Sequence, residues 1–362
     1  MLRRWLRPSS QRPLLAPQSP RELLLSLKHY DDEKGLDAFL ARFDFAGVSP
    51  HQVYASVLGR LPESAQVAAT PADYNPRQHL KQMLLSSEFQ SGLIAHLLRA
   101  FPEKKRLVFV HVPKCAGSDL ASHLMRRYEG SFLGQLDQDP LHIAPERLPW
   151  RLQMLMVNLH RSDTIAVTGH IGLHWLLSER LLRFGDVSFT VIRDPIEMAV
   201  SKVNYVLTLM QRDLSSRTPL VMEWIRRFNL QRYSEGLPTD MQALKQIALA
   251  MLRDTKIVPQ ENICSFLGSG TARSALDLCA SANIELTTVS RYEAWLKARW
   301  GIDKSERVNE SNKILTRADL GAGDMDYLGQ LRQDDMQFYQ RIDTRIAASG
   351  RLSIFGAEVS AP

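Results

Sequence analysis

The chain has 362 residues, 44% of them hydrophobic and 23% charged, with a formal net charge of +6 and a pI near 9.2. That is an ordinary globular composition, long enough for one large domain and a smaller one, and its positive balance suits a polyanionic nucleotide or an acidic glycan. Three scattered cysteines, Cys115, Cys264 and Cys279, exclude a disulfide framework and a CxxC metal site and favour a reducing compartment. No apolar run approaches the roughly 18 residues of a membrane span, and no interleaved basic-aromatic stripe argues for nucleic acid.

Residues 1–20 are rich in Pro, Ser and Arg, lack the apolar core of a signal peptide, and are expected to be a disordered basic N-terminus. Arg3, Arg4 and Arg7 with Trp5 offer a peripheral contact to an anionic membrane. Residues 21–101 show helical periodicity without a strand signal and are read as a separate helical module. One helix starts at Leu23, Leu24, Leu25 and Leu27; Val53, Tyr54, Val57 and Leu58 mark a second; Leu80, Met83, Leu84, Phe89, Leu93, Leu97 and Leu98 mark a third. The stretches VYASVLGRLPES and LLSSEFQSGL resemble a small helical domain of the DUF4214 kind, often joined to bacterial enzymes of surface polysaccharides.

The most informative segment is 106–128, RLVFVHVPKCAGSDLASHLMRRY. Val108, Val110 and Val112 read as a central parallel strand, and Leu120, Leu124 and Met125 return at helical spacing. Between them Pro113, Lys114, Cys115, Ala116, Gly117 and Ser118 form a loop of small side chains with one lysine. Such a loop lets backbone N–H groups approach an anion at a helix N-terminus, with Lys114 adding a full charge. The lysine comes too early for the GxxxxGK[ST] loop of NTPases. A cysteine phosphatase needs an arginine six residues after its cysteine, where this chain has Ala121.

Further on, 164–175 reads TIAVTGHIGLHW, a short strand over 165–168 that ends in Gly169 and His170. Residues 187–205, VSFTVIRDPIEMAVSKVNY, give another buried strand, then Arg193-Asp194-Pro195 and Ser201 on a helix. An arginine at a strand end can fork onto a phosphate, and proline in the first turn starts the helix without losing a needed N–H.

In this order the motifs resemble those of sulfotransferases that use 3′-phosphoadenosine-5′-phosphosulfate (PAPS), particularly the carbohydrate-type branch. FVHVPKCAGS is similar to the 5′-phosphosulfate loop, Arg193 and Ser201 to the 3′-phosphate site, and Gly169-His170 to the Gly-His element. The resemblance implies PAPS as co-substrate, adenosine 3′,5′-bisphosphate (PAP) as product, and no metal. His170 is the expected general base, since imidazole suits deprotonation of an acceptor hydroxyl near neutral pH. Lys114 is expected to stabilise the charge that develops on the leaving nucleotide. His174 lies four residues after His170, but no HExxH pattern or carboxylate supports a metal pair.

Two positions depart from the family. Asp119 stands where relatives carry a hydroxyl residue, and is expected to repel the donor or to cap the helix. Met198 stands where many relatives carry a second arginine. Cys115 is either a lowered-pKa thiol or, as preferred, a small packing residue.

The remaining chain predicts helices near 196–212, 220–231 and 240–252, a short strand over 263–266, a helix near 272–280, a strand over 284–289 and a helix over 291–300. Asn262 with ICSFLG is similar to a late strand of the family, and Val308-Asn309-Glu310-Ser311 to its Asn-x-Ser element. The Arg-Lys-Gly element of cytosolic small-molecule sulfotransferases is missing from LGAGDMDYL. The expected fold is α/β, a P-loop-like doubly wound parallel sheet flanked by helices with a small N-terminal helical domain. The expected divisions are 1–20, 21–101, 102–350 and a tail over 351–362. The resemblance implies transfer of a sulfuryl group from PAPS to a hydroxyl of a glycan or glycolipid by a bacterial cytoplasmic enzyme. The alternative is a non-catalytic nucleotide-binding or scaffold protein of polysaccharide assembly.

Overall fold

The computed structural model describes residues 14–26, 35–128, 131–133, 158–159, 161–183, 185–211, 222, 226, 231, 237–259, 262–302 and 312–356. The chain divides into two compact units, residues 1–105 with 128–166 and residues 106–127 with 167–362.

In the first unit the helices are α1 (Pro20–Ser26), α2 (Gly35–Leu40), α3 (Pro50–Leu58), α4 (Ala65–Ala68), α5 (Pro76–Leu84) and α6 (Ser87–Ala100). Local chemistry sets their ends. Ser49 and Gln52 close a capping box around the start of α3, Pro50 takes the first turn, and Gly59 ends the helix at φ 69°. Leu23, Leu24, Val53, Val57, Leu80, Leu84, Phe89, Leu97 and Leu98 are buried, as the periodicity predicts. Helices α2 and α4 had no counterpart in that prediction, and two further features differ from it. The continuous pattern over 80–98 is two helices, because the Ser86 hydroxyl accepts from the Phe89 N–H and starts a new one. A parallel pair of two-residue strands, β1 (Leu14–Leu15) and β2 (Phe43–Asp44), also forms, too short to leave a period in the sequence.

Among the described residues the central sheet has five strands, all parallel and flanked by helices, an arrangement compatible with a doubly wound α/β fold. Its strands are β3 (Lys105–Val110), β4 (Phe132–Leu133), β5 (Thr164–Gly169), β6 (Val187–Ile192) and β7 (Glu285–Thr288), in the order β4-β5-β3-β6-β7. Five of six residues in each of β3, β5 and β6 are buried, as a strand covered on both faces requires. Phe109 on β3 pairs in register with Phe189 on β6, and the two rings stack 5.5 Å apart.

The helices of the second unit are α7 (Gly117–Arg127), α8 (Leu173–Ser178), α9 (Pro195–Gln211), α10 (Met241–Leu252), α11 (Ile263–Leu267), α12 (Ala272–Ser281), α13 (Tyr292–Trp300), α14 (Ala322–Leu331) and α15 (Gln333–Ser349). Helix α9 buries Ile196, Ala199, Val200, Val203, Val206, Leu207 and Met210 against Leu244, Ala248, Met251, Ile314, Leu315 and Leu328. Within that core the Asn204 amide donates to the Leu315 carbonyl (2.8 Å) and accepts from the Leu315 N–H (2.9 Å), so a buried polar side chain pins an extended segment to the helix.

The strand expected over 263–266 is instead helix α11. Its start is organised by Asp335 of α15, which accepts from the N–H groups of Asn262 (3.0 Å) and Cys264 (2.9 Å). Asp335 and Arg332, 3.5 Å apart, are both buried, and Arg332 also donates to the carbonyls of Pro195 and Pro259. A five-residue apolar run carries no period of its own, and a distant carboxylate decides it. Part of the expected tail docks on β7, where Leu286 and Ile354 form an antiparallel bridge. The Asn309 and Ser311 element and nearly all of 220–231 lie outside the described residues, as do residues 1–13. Among the described residues no helix is long and apolar enough to cross a membrane.

Candidate active site

Three adjacent strands, β5, β3 and β6, end at the segments that carry His170, the 111–116 loop and Arg193. The chain leaves β3 toward β4 and β5 on one side and returns through β6 and β7 on the other, so β3 marks the switch point of the sheet. In open α/β sheets the crevice beyond the carboxyl ends at such a point is the usual ligand site.

Strand β3 stops at Val110, and Pro113, Lys114, Cys115 and Ala116 make the turn into α7, whose first turn holds Gly117 and Ser118. Lys114 and Ala116 have φ of 63° and 61°, unusual for residues with a Cβ. Alternation of hand across Lys114, Cys115 and Ala116 is the backbone pattern of an anion-binding nest, and strain of about 1–3 kcal/mol per residue persists only where the surroundings hold it. Gly117 is required for another reason. A Cβ there would lie 1.8 Å from Nε2 of His111, so the imidazole occupies the space a side chain would need.

Positive charge collects beside the loop. The Lys114 ammonium lies 3.8 Å from the centre of the Tyr205 ring, a cation–π contact. Burial, then the charges of Lys202 and Arg193, lower its pKa to about 8, and burial lowers Lys202 to about 8 as well. Arg193 follows the end of β6 while Asp194 turns away to cap α9, accepting from the N–H groups of Ile196 (2.9 Å) and Glu197 (3.1 Å) and pairing with Arg317 (3.1 Å). Among the described residues no carboxylate pairs with Lys114 or Arg193. Ser201 is half-buried on α9 and lies four residues before Tyr205, so the two share a helical face.

The depressed lysines have a testable consequence. Both are basic groups whose folded-state pKa lies below its ordinary value, so between about pH 8 and the ordinary lysine value the unfolded chain holds more protons than the folded one. Thermal melts of the ligand-free protein should show stability rising with pH in that window relative to Lys114→Met. Affinity for a phosphate-bearing ligand should fall as pH rises through about 8, with proton uptake on binding, read by calorimetry in buffers of different ionisation enthalpy. A pH-independent affinity from 7 to 9.5 would contradict the charge assignment.

His170 follows β5, and its Nδ1 lies 3.0 Å from the His111 carbonyl oxygen. A carbonyl only accepts, so Nδ1 carries the hydrogen and the neutral ring has its lone pair on Nε2. The two imidazoles lie 4.1 Å apart at 35°. Burial, followed by the charges of His170 and Lys114, lowers the His111 pKa to about 3, which keeps that ring neutral. His174 is exposed on α8, and among the described residues no group of three or more His, Cys, Asp or Glu is placed to hold a metal ion.

No protein-family model, curated protein or solved structure matches this chain. What its site can do rests on its own residues, including the two departures. Asp119 is buried, accepts from the Tyr292 hydroxyl (2.8 Å) and has Oδ2 3.7 Å from Nε2 of His123, so its carboxylate serves the packing of α7 on α13. Met198 is buried with its sulfur 3.7 Å from that of Cys115, joining α9 to the loop by a sulfur contact. Burial pushes the Cys115 thiol up to about 12, which favours packing over reactivity.

The loop residues, His170, Arg193 and Ser201 thus stand on neighbouring strand ends and on α9. Sequence reasoning missed His111, Lys202, Tyr205 and Arg332. The first three lie inside the quoted motifs, and the i, i+4 spacing of Ser201 and Tyr205 was a usable signal. Arg332 had none, because only the tertiary fold brings it beneath the start of α9.

Proposed function

We propose that this chain is a PAPS-dependent sulfotransferase acting on a hydroxyl of a glycan or glycolipid, built on a P-loop-like doubly wound fold with an N-terminal helical domain. The observation that carries the reading is the convergence of Lys114, Lys202 and Arg193 beside the 113–118 loop, with His170 on the next strand end. Lys114 and Arg193 pair with no carboxylate among the described residues, and burial, then the charges of Lys202 and Arg193, lower the Lys114 pKa to about 8, which fits a multiply charged anion; Arg193 and Ser201 would hold the 3′-phosphate and the loop the 5′-phosphosulfate.

The chemistry asks little more. PAPS supplies a sulfuryl group on a phosphate leaving group. Nε2 of His170 takes the acceptor proton as the acceptor oxygen–sulfur bond forms and the bond from sulfur to the phosphate oxygen breaks. The electron pair stays on that phosphate oxygen, where Lys114 stabilises it.

Thermal unfolding with PAP, with ATP and magnesium, and with an Arg193→Ala control tests the donor. At about 100 times its dissociation constant a ligand stabilises the fold by roughly 2.7 kcal/mol. The expected result is a rise in Tm specific to PAP and lost in the variant. No shift, or an equal one with ATP, would end the PAPS assignment. A PAP-specific shift without turnover on any sugar acceptor would favour a nucleotide-binding scaffold of polysaccharide assembly, the reading to which Asp119 and Met198 lend weight.

A further inference from the structure

We infer that His111 is a positioning residue for His170: its carbonyl selects which nitrogen of His170 carries the proton, and its adjoining, tilted ring holds His170 in register with that carbonyl. The catalytic consequence rests on the function proposed above; the structural part does not.

Three contacts tie residue 111 to the 169–170 dipeptide. The His111 N–H donates to the Gly169 carbonyl (3.2 Å), His170 Nδ1 donates back to the His111 carbonyl (3.0 Å), and the rings lie 4.1 Å apart at 35°. The His111 ring is itself held. It stacks on Phe109 at 5.3 Å and 17°, and on another side it fills the space above Gly117. Neutral imidazole has two tautomers and can turn about χ2, and a base that spends time in the wrong one presents N–H where a lone pair is needed. A backbone carbonyl fixes the tautomer only while the ring stays in its plane of approach, and the His111 ring, 4.1 Å away and itself held by Phe109, resists the rotation that would break the hydrogen bond. His111 is a poor base in its own right, since burial lowers its pKa to about 3 and keeps it neutral.

Gly117 allows the ring to be moved from elsewhere. Because a methyl at 117 would meet His111 Nε2 at 1.8 Å, Gly117→Ala displaces the imidazole with no change to His111 or His170.

The test uses the full-length, ligand-free protein with ¹⁵N-labelled histidine and reads the His170 tautomer from long-range proton–nitrogen correlations. Wild type should show hydrogen on Nδ1 alone. His111→Phe, which keeps a flat ring, should match it, whereas His111→Leu and Gly117→Ala should give a mixture of tautomers. Hydrogen on Nε2 in wild type overturns the inference by itself, even if every variant fails to fold. An unmixed Nδ1–H form in a folded Leu or Ala variant overturns it too. In turnover with PAPS, the Leu variant should lose about tenfold in kcat, a fraction of the roughly 10²–10⁴ that a general base contributes, with KM for the donor unchanged and with recovery in the Phe variant. Should wild type show the expected tautomer but no sulfuryl transfer, the proposed function falls while the positioning of His170 stands.

Discussion

Lys114→Ala is expected to lower the rate of sulfuryl transfer by about 10²–10³-fold, the usual cost of removing one preorganised donor from the site of developing charge. The size of the effect follows from where the ammonium sits. It is half-buried in a turn held at positive φ, rests on the Tyr205 ring, and faces two further cations, so little of its charge is spent on neutralising a carboxylate. The fold should survive the change. Removing a cation whose protonated form is disfavoured by burial relieves repulsion, so at neutral pH the ligand-free variant should melt no lower than wild type. Single-turnover rates with saturating PAPS, beside melting curves, check both statements. A variant within threefold of wild type in rate would remove Lys114 from the chemistry and leave it a binding residue.

The second large effect is expected at His170. His170→Gln should lower kcat by about 10²–10⁴-fold, the range for loss of a positioned general base, while the melting shift produced by PAP stays as in wild type. The separation arises because His170 follows β5, whereas the phosphate-binding groups stand on the loop after β3 and on α9. Glutamine keeps a side-chain N–H for the His111 carbonyl and so preserves local packing while removing the basic ring nitrogen. Retained turnover would pass the role of base to another group. Lost PAP binding would mean that His170 serves the donor and not the acceptor. A chain that binds PAP but is indifferent to both substitutions in every turnover assay would be a nucleotide-binding protein.

Much of the sheet and several helices could be read without coordinates. Strands β3, β5 and β6 are runs of Val, Ile, Phe and Thr buried on both faces, and such runs announce themselves. Helices α9, α10, α12 and α13 fall within a residue or so of their expected ends, since Pro195, Asp240 and Thr271 supply starting chemistry that acts over one turn. The loop with Lys114, the strand-end Arg193 and the Gly169-His170 pair were legible for the same reason: each is a local pattern whose chemistry sits within a few consecutive residues.

What the chain does not spell out locally is decided by partners far away in sequence. ICSFL became helix α11 because Asp335 reaches its first N–H groups, and Asp119 was drawn into a buried network by Tyr292, 173 residues on. The order of the strands, and with it the switch point at β3, follows from which edges pair. Lys202 gains its significance from Lys114, and His111 from His170 and Gly117, across turns that only the packed sheet brings together. The sequence by itself determined the four longer strands of the sheet, most of the helices and the residue types able to hold an anion and move a proton, because period, caps and turn chemistry act over a few residues. Their spacing, the neutral tautomer of His170 and the depressed lysines were decided by the tertiary structure, because burial and charge proximity depend on distance in space.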